Sequence, residues 1–587
     1  MVSSYFTSHH HKLIIYQLFV RLFGNQKAFS KSYGTIEENG CGKFNDITDT
    51  ALQELSAMGI SHVWLTGILE HSTVTDYSQF GMKGDSPYLV KGRAGSPYAI
   101  RDYYDVDPDL AVDVNNRMQE FNALVKRIHS NDLKVIIDFV PNHVARSYHS
   151  DVKPEGIKDL GEDDLVSHFF NVNNNFLYLQ NTHFTIPGDY VPLNGEEGIG
   201  NRNDYHESPA RVTGNDIYSA SPSANDWFET VKLNFGVDPN LPHHCYFDPI
   251  PDTWQKLLDI LLYWSAKGVD GFRCDMAEMV PAEFWEWVIP CVKTHFPKVF
   301  FIAEIYKPEL YERYLETGCF DYLYDKVRLY DTLVGIIKGH TNADELTNCA
   351  RSVERHPERM LFFLENHDEE RIASFRFAGD PNKAIPGMVA GAALSCGPVM
   401  IYNGQECGET GDEIVGFAGS RGRTSIFDYT SMPEHLKWMN KGRFDGAKLS
   451  PETKKLRNFY VKLLNVINKS EAISSGKFYD LQYVNRHHLS EGFNEKYIYA
   501  YLRYTENERV LVICNFNTSE DYNVQVKIPQ DAMKLMDIDH PASYTFYDLL
   551  NDEEIGECHS QEFTSLAERE KGVSIKMKSN AARIIRF

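Results

Sequence analysis

The chain has 587 residues, 42% of them apolar, enough to bury a large core and to build two or three domains. Lys and Arg number 59 against 82 Asp and Glu, and the resulting balance of −23 argues against nucleic acid or an anionic membrane as a partner and suits a neutral ligand. No segment approaches the ~20 apolar residues of a membrane helix.

The N-terminus, MVSSYFTSHHHKLIIYQLF, has no basic start, no apolar run of signal length and no small-residue cleavage site. His9 to His11 read as a solvated tract rather than a metal site. The ten cysteines include no C-x-x-C pair and several lie in apolar runs (Cys274, Cys396, Cys514), so they read as reduced core thiols of a cytoplasmic protein.

Residues 12 to 20 (KLIIYQLFV) predict a first buried strand. Ile47, Ala51, Leu52, Leu55 and Met58 share one face of a helix from Asp46 to Met58, which Gly59 ends, and ISHVWLTGI (60 to 68) is a second strand. A long loop carries Tyr98. A helix from about Asn115 to Ser130 then leads into LKVIIDFV, the third strand. From Val144 to Pro251 the chain is rich in Asn, Asp, Gly, Pro and Tyr and has no sustained period, the signature of an inserted subdomain. The alternation resumes with a helix from about Thr253 to Ala266 and the strand GVDGFRCD. Helix EFWEWVIPCVKTHF, interrupted or ended near Pro290, and the strands KVFFIAEI, FDYLYD, LFFLENHD and GPVMIYNGQE follow. Near-continuous apolar strands alternating with amphipathic helices, eight in all, predict a (β/α)₈ TIM barrel of the α/β class, with polar clusters at the C-terminal strand ends where such barrels place their sites. Ser450-Pro451 opens a last helix, and beyond about Ile473 short strands predict a C-terminal antiparallel β-sandwich domain. The expected division is a barrel over 1–143 and 252–470, the insertion over 144–251, and the β domain over 471–587.

The chemistry is concentrated at GVDGFRCD (Gly268 to Asp275). Arg273 and Asp275 are two apart on a strand and so point to one side, where the guanidinium can keep the carboxylate ionised as a nucleophile requires. One such pair alone reads more readily as a buried ion pair. Its company changes that: DFVPNH (Asp138 to His143), FFIAEI (Phe300 to Ile305) and LFFLENHD (Leu361 to Asp368) also end apolar runs in polar clusters.

Together these motifs resemble the α-amylase superfamily, glycoside hydrolase family 13, over roughly residues 12 to 470. The resemblance implies paired carboxylates acting through an oxocarbenium-like transition state. By similarity Asp275 is the nucleophile and Glu304 the general acid/base, which needs a partly apolar site to raise its pKa. Asp368 is the third carboxylate, holding sugar hydroxyls. His143 and His367 resemble the histidines that bond the sugar at the cleavage point, Arg371 an arginine that contacts the sugar or its neighbours, and Tyr98 the tyrosine stacked on its ring. Arg273 is expected to hydrogen-bond Asp275 and keep its pKa low, with Asp138 and Asn142 in support.

Three departures stand out. Glu278-Met279 replaces a frequent Lys-His pair on the leaving-group side, and Tyr306 replaces a frequent tryptophan two positions after the acid. Lys232-Leu233-Asn234 replaces the family's Asp-Leu-Asn, whose Asp is a common calcium ligand. Calcium wants several mostly anionic oxygens, so an ammonium there repels the ion or stands in for it, and Asn142 alone matches the remaining ligand. The usual calcium site is therefore expected to be absent and no cofactor is implied, while calcium elsewhere stays open. GRTSIFDY (Gly422 to Tyr429) and WMNKGRFDGAKLS favour α-1,4-glucan substrates. The expected activity is a retaining α-glucan hydrolase acting on starch-like or malto-oligosaccharide substrates. A transglycosylase using the same intermediate is the nearest alternative, and a non-catalytic binding barrel a more distant one. Oligomeric state is left open.

Overall fold

The computed structural model describes residues 12–241, 244–413, 415–417 and 421–587. The His9–His11 tract lies outside the described residues. Eight parallel strands form one sheet: β1 (Ile14–Phe19), β2 (His62–Thr66), β3 (Lys134–Phe139), β4 (Gly271–Cys274), β5 (Phe300–Ala303), β6 (Tyr322–Tyr324), β7 (Met360–Leu361) and β8 (Val399–Tyr402). From β1 to β7 each pairs with the next, and β1 also pairs with β8. Between β7 and β8 the gap is closed by backbone bonds from Phe362 N to Pro398 O (2.9 Å) and from Met400 N to Phe362 O (2.8 Å). The sheet is thus the expected barrel, with every residue of β1 buried, as apolar runs without alternation require.

The connecting helices follow from their sequences. Thr48 caps α1 (Asp49–Ala57) by accepting from Ala51 N, and α2 (Arg117–Ser130) buries Phe121, Leu124, Val125 and Ile128. Helix α3 (Asp252–Ala266) precedes β4, and α4 (Ala282–His295) follows it. The expected interruption at Pro290 does not occur. Pro290 sits on the exposed face of α4, where the carbonyl it leaves unpaired can meet water, while Val288, Ile289 and Val292 hold the buried face. Ser450 and Pro451 open α5 (Pro451–Lys469) as expected.

Between β3 and α3 the chain forms short antiparallel pairs, His143–Ala145 with Thr230–Lys232 and Tyr178–Leu179 with Ala210–Arg211, around a small core that includes Phe184, Ile186, Tyr190 and Phe228. Beyond α5 a six-stranded antiparallel sheet runs in the order Lys477–Asp480, Ile498–Tyr504, Arg509–Asn515, Ala581–Arg586, Ser543–Asp548, Glu553–His559. Tyr522–Val526 pairs with Val573–Met577 beside it. Its two central strands divide their side chains by the period of two. Ala500, Leu502, Leu511 and Ile513 join the core of this C-terminal unit, and Tyr499, Tyr501, Val510 and Val512 join the barrel core. The strands Lys477–Asp480, Ser543–Asp548 and Glu553–His559 were not expected; they are polar and mostly half-exposed, so they carry little apolar signal.

Candidate active site

Strand ends from β1 to β7 and their loops converge at the C-terminal mouth of the barrel. The register opposes Arg273 on β4 to Asp138 on β3 and to Ile302 on β5. Arg273 is fully buried there. Its Nη1 donates to Asp275 Oδ1 at 2.7 Å and lies 3.6 Å from Asp138 Oδ1, its Nε donates to Tyr324 Oη at 3.2 Å, and its Nη2 lies 2.7 Å from Glu304 Oε1. The last contact is an ion pair without hydrogen-bond alignment. One guanidinium therefore bridges the two carboxyl groups expected to do the chemistry. Glu304 also accepts from Tyr306 Oη at 2.6 Å and from Met276 N at 2.8 Å. Met276 follows Asp275 in the left-handed region (φ 44°), a strained conformation for a residue with a Cβ, and this turn aims its N–H at Glu304.

Asp138 ties β2 and the loop after it to this cluster. Its Oδ2 accepts from Trp64 Nε1 (3.1 Å) and Gly67 N (3.3 Å), and its Oδ1 accepts from Tyr98 Oη (3.3 Å). Tyr98 lies stacked on His367 with ring centroids 5.2 Å apart, and its hydroxyl is 2.6 Å from His367 Nε2. His367 reaches Gln17 of β1 through Nδ1 (2.7 Å) and Asp368 Oδ2 through Nε2 (2.9 Å). Asp368 stands on the solvent side, its side chain 38% exposed. His143 is buried against Trp227 (5.1 Å between centroids) and bonds the Asn142 amide.

The site separates its carboxyl groups. Asp275 is pushed up, first by burial and then by the Glu304 charge, against the opposing bond from Arg273. Arg273 alone does not hold it low, as its sequence position suggested. For Asp368 the partial desolvation it meets in the mouth pushes up, but the His367 ring and the Arg273 charge outweigh it and bring the group to about 2. His143 is lowered to about 3 by burial and by Lys232, so it is a neutral ring at neutral pH. Tyr98 is raised by burial and Asp138, and it stays a hydroxyl.

Arg371 does not reach this mouth. It is fully buried and engaged by Glu365 (2.9 Å), Asn403 O (3.0 Å) and Thr424 Oγ1 (2.9 Å), with its guanidinium carbon 3.9 Å above the Tyr402 ring. It braces the loop after β7 rather than facing a sugar. Sequence reading also passed over Gln17, Trp64 and Tyr324, which look like ordinary core residues until the barrel closes.

Lys232 occupies the junction of the insertion and the β4 loop. Its ammonium bonds Asn142 Oδ1, Asp216 (3.1 Å) and the carbonyl of Met279 (3.3 Å). A carboxamide oxygen, a carboxylate and a backbone carbonyl are the donor types a calcium ion takes, and here they surround a fixed cation. Among the described residues no cluster of three or more His, Cys, Asp or Glu has metal-binding geometry.

The family model of the alpha-amylase catalytic domain matches residues 27–167 and 249–445. Alpha-amylase 3 of Dictyoglomus thermophilum is 25% identical over 459 residues, covering 73% of this chain and 77% of that protein. An alpha-1,4-glucan:maltose-1-phosphate maltosyltransferase of Cereibacter sphaeroides is 29% identical over 192 residues, 32% of this chain and 31% of the other. The crystal structure of a noncanonic maltogenic alpha-amylase, AmyB, from Thermotoga neapolitana superposes with a TM-score of 0.59 at 20% identity, covering 98% of both chains, a likeness of fold.

Proposed function

The chain belongs to the α-amylase family of glycoside hydrolase family 13 and is an enzyme of that type, and from that premise we propose that it is a retaining hydrolase of α-1,4 bonds in starch-like glucans or malto-oligosaccharides. The observation that carries the reading is the Arg273 guanidinium lying 2.7 Å from both Asp275 and Glu304. In the first step an Asp275 oxygen bonds the anomeric carbon, the glycosidic C–O bond breaks, and Glu304 gives its proton to the departing oxygen. In the second, Glu304 takes a proton from water as the water oxygen displaces Asp275. Asp368, held ionised beside the mouth, accepts hydrogen bonds from sugar hydroxyls, and Tyr98 offers its ring to the sugar face.

The maltosyltransferase relative supports one rival: the same intermediate passed to a sugar acceptor. Glu278, the departure on the leaving-group side, turns away to accept from Tyr306 N (2.8 Å) and Lys307 N (3.1 Å). Its Oε2 is thereby committed to the loop after β5 and not to an acceptor sugar, which supports water over a sugar acceptor at that oxygen.

Two further readings accompany the activity. The Lys232 ammonium stands in for the usual calcium ion. The ten unpaired cysteines suit a reducing, cytoplasmic compartment; among the described residues no helix is long and apolar enough to cross a membrane.

The test follows maltoheptaose with time, resolving products by length, with Asp275→Asn as control. Shorter sugars rising with new reducing ends, abolished in the variant, are expected. Products longer than the starting sugar, with few new ends, would establish the transferase instead.

A further inference from the structure

We propose that Tyr306 is a positioning residue for the acid/base: its hydroxyl, carried on a backbone that Glu278 anchors, orients Glu304 and favours the ionised carboxylate that must take a proton from the attacking water. The inference rests on the assignment of Glu304 as acid/base.

Tyr306 Oη donates to Glu304 Oε1 at 2.6 Å, the length of a charge-assisted O–H···O⁻ bond. Its backbone is fixed independently. Glu278 Oε2 accepts from Tyr306 N and from Lys307 N, and the Glu278 side chain is itself only 7% exposed, with Lys307 Nζ at 3.6 Å. The loop after β5 is thus pinned to the turn after β4 by one carboxylate, which sets where the phenol hydroxyl arrives. Met276 N approaches the other Glu304 oxygen from that same turn. Glu304 therefore has a donor on each oxygen and no freedom to swing, as a group that gives a proton to one oxygen and later takes one from another requires.

A phenol is suited to this work in a way the family's frequent tryptophan is not. Its hydroxyl can donate to the carboxylate and can accept once the carboxyl is protonated, whereas an indole N–H only donates. Burial and the facing Glu304 charge raise the Tyr306 hydroxyl well above its ordinary range, so it keeps its proton throughout. The charged and titratable groups around Glu304 are Arg273 and Asp275 from β4 and its turn, Tyr306 from its own loop, Tyr324 from β6, and Asp368 from the loop after β7. Of these only Tyr306 can be deprived of its bond to Glu304 by removing a single oxygen.

The experiment measures kcat/KM against pH for wild type and Tyr306→Phe on an aryl maltotrioside whose leaving group needs protonation. Losing a donor to the anion makes the acid form easier to hold, so the alkaline limb moves up by about one pH unit, a tenfold change worth about 1.4 kcal/mol. Glu278→Ala frees the loop and moves the limb the same way by less. An alkaline limb that coincides with wild type, or moves down, overturns the inference. In parallel, the Glu304 carboxyl carbon is followed by carbon-13 NMR through the same pH range, assigned with Glu304→Gln. Its midpoint is higher in Tyr306→Phe if the inference holds and unchanged if it fails. This second reading needs no turnover, so an enzyme inactive on α-glucans sinks the proposed function while the titration still decides the role of Tyr306.

Discussion

Lys232→Met tests the idea that an ammonium replaces an ion. The side chain is 10% exposed and satisfies Asn142 Oδ1, which is fully buried, and Met279 O, which is partly buried. Leaving the buried Asn142 oxygen unpaired costs roughly 1–3 kcal/mol, and the partly buried Met279 carbonyl adds less. Asp216 is 40% exposed and solvent-screened, so its share is small. A total of about 3 kcal/mol, set against an unfolding entropy of about 2.1 cal/mol/K per residue over 587 residues, lowers Tm by only about 2–3 °C. Calorimetry resolves that shift. The companion Lys232→Asp supplies a carboxylate where the cation was, beside Asn142, Asp216 and the Met279 carbonyl, and its Tm is expected to rise with added calcium and fall with a chelator. Activity should follow Tm in both variants, because the Met279 carbonyl anchors the turn that begins at Asp275. A Lys232→Met protein that melts with wild type, together with a Lys232→Asp protein indifferent to calcium, would refute the reasoning.

Two other outcomes follow from the same geometry. Arg371→Ala strands Glu365 as a buried unpaired charge, which costs about 3–5 kcal/mol; Tm falls while KM for maltoheptaose stays at its wild-type value, and a raised KM at unchanged Tm would return Arg371 to the sugar. For pH, Asp275 must be ionised to attack, and its pKa is raised by burial and Glu304, so activity is present above that value and lost as pH falls through it. Asp368, held to about 2, contributes nothing to this limb. The acid limb of kcat/KM is therefore expected above about pH 4, the ordinary aspartate value, and a limb below pH ~3.5 would show that Arg273 dominates after all.

The sequence by itself determined the barrel and the residues at its mouth. Apolar runs such as IIYQLF and VIIDF can only be buried on both faces, and the period of their helices closes the layer around them. Because strand direction fixes which end each polar cluster occupies, Asp138, Asp275, Glu304 and Asp368 were legible as neighbours before any coordinates. What the sequence left open were contacts made by groups far apart in the chain. Lys232 meets Asn142, 90 positions away, and Met279, 47 away, only once the insertion folds back on the β4 loop. Arg371 and Tyr306 were read by position in a motif, yet which way each side chain points depends on what packs beside it: Glu365 and Thr424 draw the arginine inward, and Tyr306, its backbone anchored by Glu278, sends its hydroxyl to Glu304. Residue type and period encode local conformation and burial, whereas the partner of a side chain is set by the convergence of loops, and that is decided only by the tertiary structure.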